Sequence, residues 1–229
     1  GNDSLAPLPD GNQRRRDQIG PRFPDARARL HDHRPFPLQR LRDLHPQTNQ
    51  GVAADAIATL EGISREDLDA LAAESQRRAE IAIKEGRFER SLVPVLNEDG
   101  TVALDREEFP RPGTTAEKLA KLRPAFREGG TVTAGNSSQV NDGAACLVLG
   151  TEARAQALGK KPLARIVATA AAGVDPAIMG VGPIDATKKL LARTGLQASD
   201  IDLWEINEAF ASQALASARA LGAEHEILN

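Results

Sequence analysis

The sequence predicts a layered α/β fold, and three observations carry that expectation. From residue 132 onward, short apolar runs of strand type alternate with helical patterns. Ala and Gly are plentiful while aromatic residues make up 3%, with no Tyr and one Trp, which suits helices packed closely on a sheet. With 229 residues and 41% apolar side chains, the chain can bury a sizeable core in one large domain or two small ones.

The first clear element is a helix over 64–88. Ser64 is its N-cap, with Glu66 and Asp67 in the first turn, where the helix dipole favours acid. Leu68, Leu71, Ala72, Ala79 and Ile83 form an apolar stripe. Glu74–Arg78 and Glu80–Lys84 are i,i+4 pairs on a solvated face, and Gly86 sits where a glycine closes a helix. Residues 89–130 read as irregular, with a turn from Asn97 to Gly100 and breakers at Pro110, Pro112 and Gly113. A short helix is expected over 114–122. A polar, Gly-containing stretch follows, then a buried strand over 144–149. Next come a helix over 151–158 and a strand over 163–170. Gly173, Gly180 and Gly182 mark a loop, Pro183 opens a helix and Gly195 lies just past its end. The chain then gives a strand over 201–206 and a helix over 207–221.

Residues 1–50 read differently. They hold nine Arg and no Lys, six Asp and no Glu, half of the 14 prolines and three of the four histidines. Their apolar residues keep neither helical nor strand period. Three readings stay open: a disordered basic tail, a nucleic-acid arm, and sequence read out of frame in a GC-rich gene. The arm is the weakest, because acids interrupt the arginines and no aromatic stacking pattern accompanies them. The third is favoured.

Composition excludes several function classes. The net charge of −3 gives no electrostatic footprint for nucleic acid. No run of about 18 apolar residues suggests a membrane span. The start GNDSLAPLPDGNQRRR lacks the apolar core of a secretory signal. One cysteine, Cys146, cannot build an intrachain disulfide framework and suits a reducing cytoplasm. Four histidines and one cysteine form no zinc-ligand spacing, so no metal is expected. The three loop glycines lack the G-x-G-x-x-G spacing of a nucleotide fingerprint.

Read by themselves, the polar residues have plain roles. Asn207 at a strand-to-helix junction is an N-cap, and Glu208 favours the helix N-terminus. Thr133 to Ser138 is a tight turn, Met179 and Phe210 are core, and Arg111 is a solvated loop charge.

Four segments say more. They are GISREDLDALAAESQRRAEIAIKEGRF (62–88), EEFPRPGTTAEKLAKLRPAF (107–126), GTVTAGNSSQVNDGAACLVL (130–149), and LARIVATAAAGVDPAIMGVGPIDATKKLL (163–191) running into DIDLWEINEAFASQAL (200–215). In order and spacing they resemble the interior of a thiolase, one of the coenzyme A-dependent enzymes that cleave or form 3-ketoacyl thioesters. The resemblance covers residues 50–229. It implies a thiolase-type layered α/β fold, incomplete here and including a helical loop-domain segment. Residues 51–130 would be loop-domain segment and linker, 131–160 the end of the N-terminal half, and 161–229 the start of the C-terminal half.

The resemblance also implies site residues. Asn207 matches the amide that holds a water against the thioester oxyanion together with a histidine. A neutral amide suits that task, since it orients a donor toward developing negative charge without adding a counter-charge. The carboxyl end of a strand is where open α/β sheets place their sites. Ala134 and Ser138 match the wall that touches the pantetheine arm, although Ser137 stands where members usually carry Ala and Gln139 where Gly is common. Met179 and Phe210 match acyl-pocket positions. Arg111 matches a contact to the adenine and phosphate end of coenzyme A. Coenzyme A and acyl-coenzyme A are substrates, no cofactor is held permanently, and the intact fold is a dimer or tetramer.

Family members also use two cysteines and a histidine, in covalent catalysis by an activated thiolate. The nucleophile would precede the matched region and the histidine motif would follow it. Cys146, in its apolar run, is expected to be buried and inert, and His225 lacks the Gly-His-Pro context. Two functions are therefore expected. One is a thiolase of fatty-acid degradation or acetoacetyl-coenzyme A synthesis, of which this chain is an inactive piece. The other is a non-catalytic, truncated thiolase-like module that binds acyl-coenzyme A or a partner subunit.

Overall fold

The computed structural model describes residues 49–223 and 225–229. The chain clusters into two units, Gly1–Asp32 and His33–Asn229, and the described residues all lie in the second. The expectations for residues 1–50 lie outside the described residues, except that Asn49 and Gln50 open the first helix.

That helix, α1 (Gln50–Glu61), has no counterpart in the pattern reading. Its ends are locally encoded: Asn49 caps it through Gly51 N, and Gly62 closes it in the left-handed region at φ 60°. Its middle is not amphipathic, because Ala53, Ala54, Asp55, Ala56, Ile57 and Ala58 are all buried. A helix covered on most sides shows no polar face to betray its period. Gly180 lets α1 come close to the neighbouring layer, since a Cβ there would stand 2.9 Å from Ile57 Cδ1 and 2.8 Å from Gln213 Cβ.

Helix α2 (Arg65–Lys84) follows the expected plan and ends slightly early. Ser64 and Asp67 form a reciprocal capping box, and Gly86 sits at φ 65° just beyond the end. The i,i+4 pairs are both made, Arg78 to Glu74 at 2.8 Å and Lys84 to Glu80 at 2.7 Å. Segment 89–130 holds more order than expected. Strands β1 (Val95–Leu96) and β2 (Val102–Leu104) form an antiparallel hairpin around the Asn97–Gly100 turn. Helix α3 (Ala116–Leu119) is capped by Thr115.

Helix α4 (Glu152–Ala157) and helix α5 (Gly182–Thr194) lie where expected, with Gly195 at φ 73° closing α5. A 3-10 turn, Pro176–Val181, leads into α5 and packs on α1. Helix α6 (Ala211–Leu221) starts four residues later than the pattern suggested. The core joins these pieces: Ile57, Leu68, Val181, Ile184, Trp204, Ala216 and Leu221 make one buried cluster.

The strand expectations need correction. Residues 144–149 and 163–170 form no ladder among the described residues. Their apolar side chains stand in the open, Leu147 at 83%, Val148 at 97% and Leu163 at 102% exposure. Cys146, expected to be buried, is exposed with them. An apolar run becomes a buried strand only when neighbouring strands cover it, and no described strand pairs with these two segments. The run over 201–206 keeps a short pairing. Trp204 bridges Leu228 in parallel, with Trp204 N donating to Ile227 O, Asn229 N to Trp204 O and Ile206 N to Asn229 O. With α6 as the crossover, this is a minimal βαβ unit. Arg78 of α2 fastens its end by donating to Leu228 O and His225 O.

Two outcomes check this packing. Leu68 is fully buried, so Leu68→Ala should lower unfolding free energy by about 2–5 kcal/mol in urea titrations. The Arg77 guanidinium, bonded to both Glu74 oxygens, holds that carboxyl at about 2 against an ordinary 4.5; partial burial opposes the shift and Arg78 adds to it. The folded state is therefore favoured above pH 4.5 and loses that contribution as pH falls toward 2. Glu74→Gln should flatten this part of the acid limb in pH-dependent unfolding.

Candidate functional site

The site grows from a loop without regular structure. Residues 131–138 run between α1, α2, α3 and the start of α6, and much of their backbone is buried. Buried backbone groups need partners, and helix side chains supply several. Asp55 of α1, fully buried, accepts from Thr131 N at 2.6 Å, Thr131 Oγ1 at 3.1 Å and Val132 N at 3.0 Å. Asn136 turns the loop on itself: its Oδ1 accepts from Thr133 N at 2.8 Å and its Nδ2 donates to Thr131 O at 3.1 Å. Ser137 Oγ donates to Thr133 O at 2.7 Å. Glycine is required at 135 by close approach, since a Cβ would stand 2.5 Å from Leu119 Cδ2.

The loop then pairs with the segment ahead of α6. Ser137 bridges Phe210 in antiparallel fashion, Ser138 N donates to Ala209 O at 2.9 Å, and Ala211 N donates to Asn136 O at 3.0 Å. The last bond explains the late start of α6. A free N–H at its first turn is satisfied by a carbonyl far upstream in sequence, and no side chain caps it. Asn207 is thus not an N-cap. It lies three residues before the cap position, exposed and outside any regular element. Its carbonyl is held by Gln213 Nε2 at 2.6 Å.

Between these parts lies a cavity of about 600 Å³. One wall is a face of α2, with Leu71, Ala72, Ser75 and Gln76. A second is the loop, Gly135 to Gln139. The third is the strand end, Glu205 to Glu208, with Ala211 and Asn229. The expected site residues Asn207 and Ser138 thus face one space. Arg111, Ala134, Met179 and Phe210 do not line it. Arg111 is exposed, but its N–H donates to Gln76 Oε1 at 2.8 Å, which seats its loop beside the α2 wall. Ala134 is exposed on the turn next to Gly135. Met179 is 44% exposed on the 3-10 turn. Phe210 packs edge-on against Phe126 with ring centroids 6.0 Å apart.

Sequence reasoning missed the α2 wall and Gln213. Ser75 and Gln76 lie beside Leu71 and Ala72 of the apolar stripe, uncharged where a solvated face would carry charge. That run was the available signal. Gln213 left none, because its role depends on a carbonyl six residues upstream. The lining offers amides, hydroxyls and two carboxylates and contains no Cys or His. Such a surface can bind and orient a polar, uncharged chain. Among the described residues, no group of three or more His, Cys, Asp or Glu could hold a metal ion.

Comparison with known proteins gives the family. Residues 27–153 match the family model "Thiolase, N-terminal domain" and residues 160–229 match "Thiolase, C-terminal domain". The first match begins within the compositionally distinct N-terminal stretch. The acetyl-CoA acetyltransferase of Thiocystis violacea is 50% identical over 183 residues, 79% of this chain and 46% of that protein. Human mitochondrial 3-ketoacyl-CoA thiolase, solved in complex with CoA, is 40% identical with a TM-score of 0.74 over 83% of this chain and 48% of its own. The dimeric peroxisomal thiolase of Saccharomyces cerevisiae is 41% identical with a TM-score of 0.76, over 83% of this chain and 49% of its own. The chain spans about half the length of the relatives it matches. The helix-rich body with its small sheet is part of their layered α/β fold. From the four sequence segments to the backbone course, every comparison leads to one assignment: the chain belongs to the thiolase family.

Proposed function

We propose that the protein is a thiolase-type acyltransferase that moves an acyl group between coenzyme A and a 3-ketoacyl-coenzyme A. The observation that carries this reading is the convergence of Asn207 and Ser138 on one cavity. In this reading the pantetheine arm lies between the α2 face and the 135–139 loop. Small side chains leave room for a narrow arm, and hydroxyls and amides meet its peptide-like groups. The Asn207 amide orients a water toward the thioester oxygen as negative charge develops there. Arg111 serves the phosphate end of the ligand, and Ala134, Met179 and Phe210 shape its surroundings.

The thiolate and the activating histidine are not supplied by the cavity lining, so the purified 229-residue chain binds the substrate without turning it over. Coenzyme A is substrate rather than resident cofactor. The intact enzyme is a homo-oligomer, as the dimeric yeast relative suggests, and works in the cytoplasm. Among the described residues, no helix is long and apolar enough to cross a membrane.

Two measurements test this. The purified chain should bind coenzyme A and show no thiolysis of acetoacetyl-coenzyme A. Thiolysis abolished by Cys146→Ala would overturn the assignment of the missing nucleophile. In a chimera carrying residues 50–229 in place of the matching stretch of the Thiocystis violacea protein, Asn207→Asp should cut turnover by on the order of 100- to 1000-fold. Stability should hold within about 1 kcal/mol, because Asn207 caps no helix. Near-normal turnover would remove the catalytic role of Asn207.

A further inference from the structure

One ion-assisted chain of contacts reaches the cavity loop from behind; of its members only Asn136 also lines the cavity. Asp69 of α2 is 2% exposed. Its Oδ2 accepts from Arg65 Nε at 2.7 Å and its Oδ1 from Asn136 Nδ2 at 3.0 Å. Arg65 in turn donates through Nη2 to Leu119 O at 2.7 Å and Leu122 O at 3.2 Å. Asn136, 4% exposed, makes four contacts besides: it accepts from Thr133 N and from Ala211 N of α6, and donates through Nδ2 to Thr131 O and through its backbone N to Thr133 O. Ser137 and Ser138 follow directly and form the loop wall.

An ionised carboxylate accepts at both oxygens and donates at neither. Asp69 can therefore take Arg65 and the Asn136 amide together, and it forces one orientation on that amide. With Nδ2 drawn toward Asp69, Oδ1 is left for the Thr133 N–H, and the turn closes. We propose that Asp69 is a positioning residue: through Asn136 it sets where Ser137 and Ser138 stand against Asn207, and so the width of the cleft. The identity of the ligand rests on the coenzyme A reading above; the positioning does not.

If Asp69 served only to hold Arg65 and the α3 carbonyls, the loop would be indifferent to the polarity of the 69–136 contact. The test is amide hydrogen exchange on the whole 229-residue chain, with coenzyme A affinity read from the fluorescence of Trp204, the single tryptophan. Asn136→Asp sets carboxylate against carboxylate. Protection of the Ser138 amide should fall on the order of tenfold to a hundredfold, while the Ala216 and Ser217 amides in α6 keep theirs. In Asp69→Asn/Asn136→Asp, donor and acceptor exchange places, and most of the Ser138 protection should return. Coenzyme A affinity should fall and recover by similar factors. Should Asn136→Asp unfold the chain outright, the double variant should refold it. Unchanged Ser138 protection in Asn136→Asp, or no recovery in the double variant, overturns the proposal. If protection follows the scheme but the wild-type chain shows no coenzyme A binding, the positioning stands and the ligand reading fails. If the wild type and both variants bind coenzyme A alike, the positioning fails and the ligand reading stands.

Discussion

A loop with buried backbone and no ladder of its own must borrow its hydrogen bonds, and here the lender that matters most is the Asp55 carboxylate. It is fully buried in α1 and gathers two N–H groups and one hydroxyl from Thr131 and Val132. All three reach Oδ1, and the buried Oδ2 has no hydrogen-bond partner among the described residues, so these bonds alone offset the water the carboxyl group has lost. The arrangement thus constrains both sides. The loop cannot leave without stranding an ion in the core, and α1 cannot turn without stranding the loop. Gly130 follows from the same crowding, since a Cβ there would meet Asp55 Oδ2 at 2.5 Å. Asn136, the loop's pairing with 209–211 and the start of α6 all stand downstream of this tie.

How much was legible in the sequence depended on how local the cause was. Ser64 and Asp67 cap α2 through atoms three residues apart, and both were readable. Gly195 and Pro183 bracket α5 for equally local reasons. Asn207 looked like a cap by the same logic and is not one, because the Ala211 N–H finds Asn136 O, which no window around residue 207 contains. Helix α1 was hidden by being too buried: without a polar face, its period leaves no trace. The runs over 144–149 and 163–170 carry the composition of covered strands, but cover comes from other segments. Their open side chains show that pattern encodes a requirement rather than an outcome.

The candidate site divided in the same way. Ser138 and Asn207, both singled out in the sequence, line one cavity. The residues that hold those two in place, Asp55, Asp69 and Gln213, came from helices read as ordinary amphipathic surface or not read at all. Buried aspartate is uncommon and costs free energy; Asp69 is bonded at both oxygens, whereas Asp55 makes its bonds through Oδ1 and its Oδ2 has no hydrogen-bond partner among the described residues. Two of them on adjacent helices, converging on one loop, are the mark of a geometry being held.

The βαβ unit and the Asp55 tie differ in reach, and the difference bears on the entropy of closure. Trp204 and Leu228 are brought together by one short helix, a closure of short sequence separation. Asp55 and Thr131 are 76 residues apart, and all of α2, the hairpin and α3 lie between them. Joining them carries the entropy of a long loop and rewards it only when the carboxylate is already being shut away from water. The third wall of the cavity thus rests on a contact of short sequence separation, and the loop wall on one that must close a long stretch of chain into a ring.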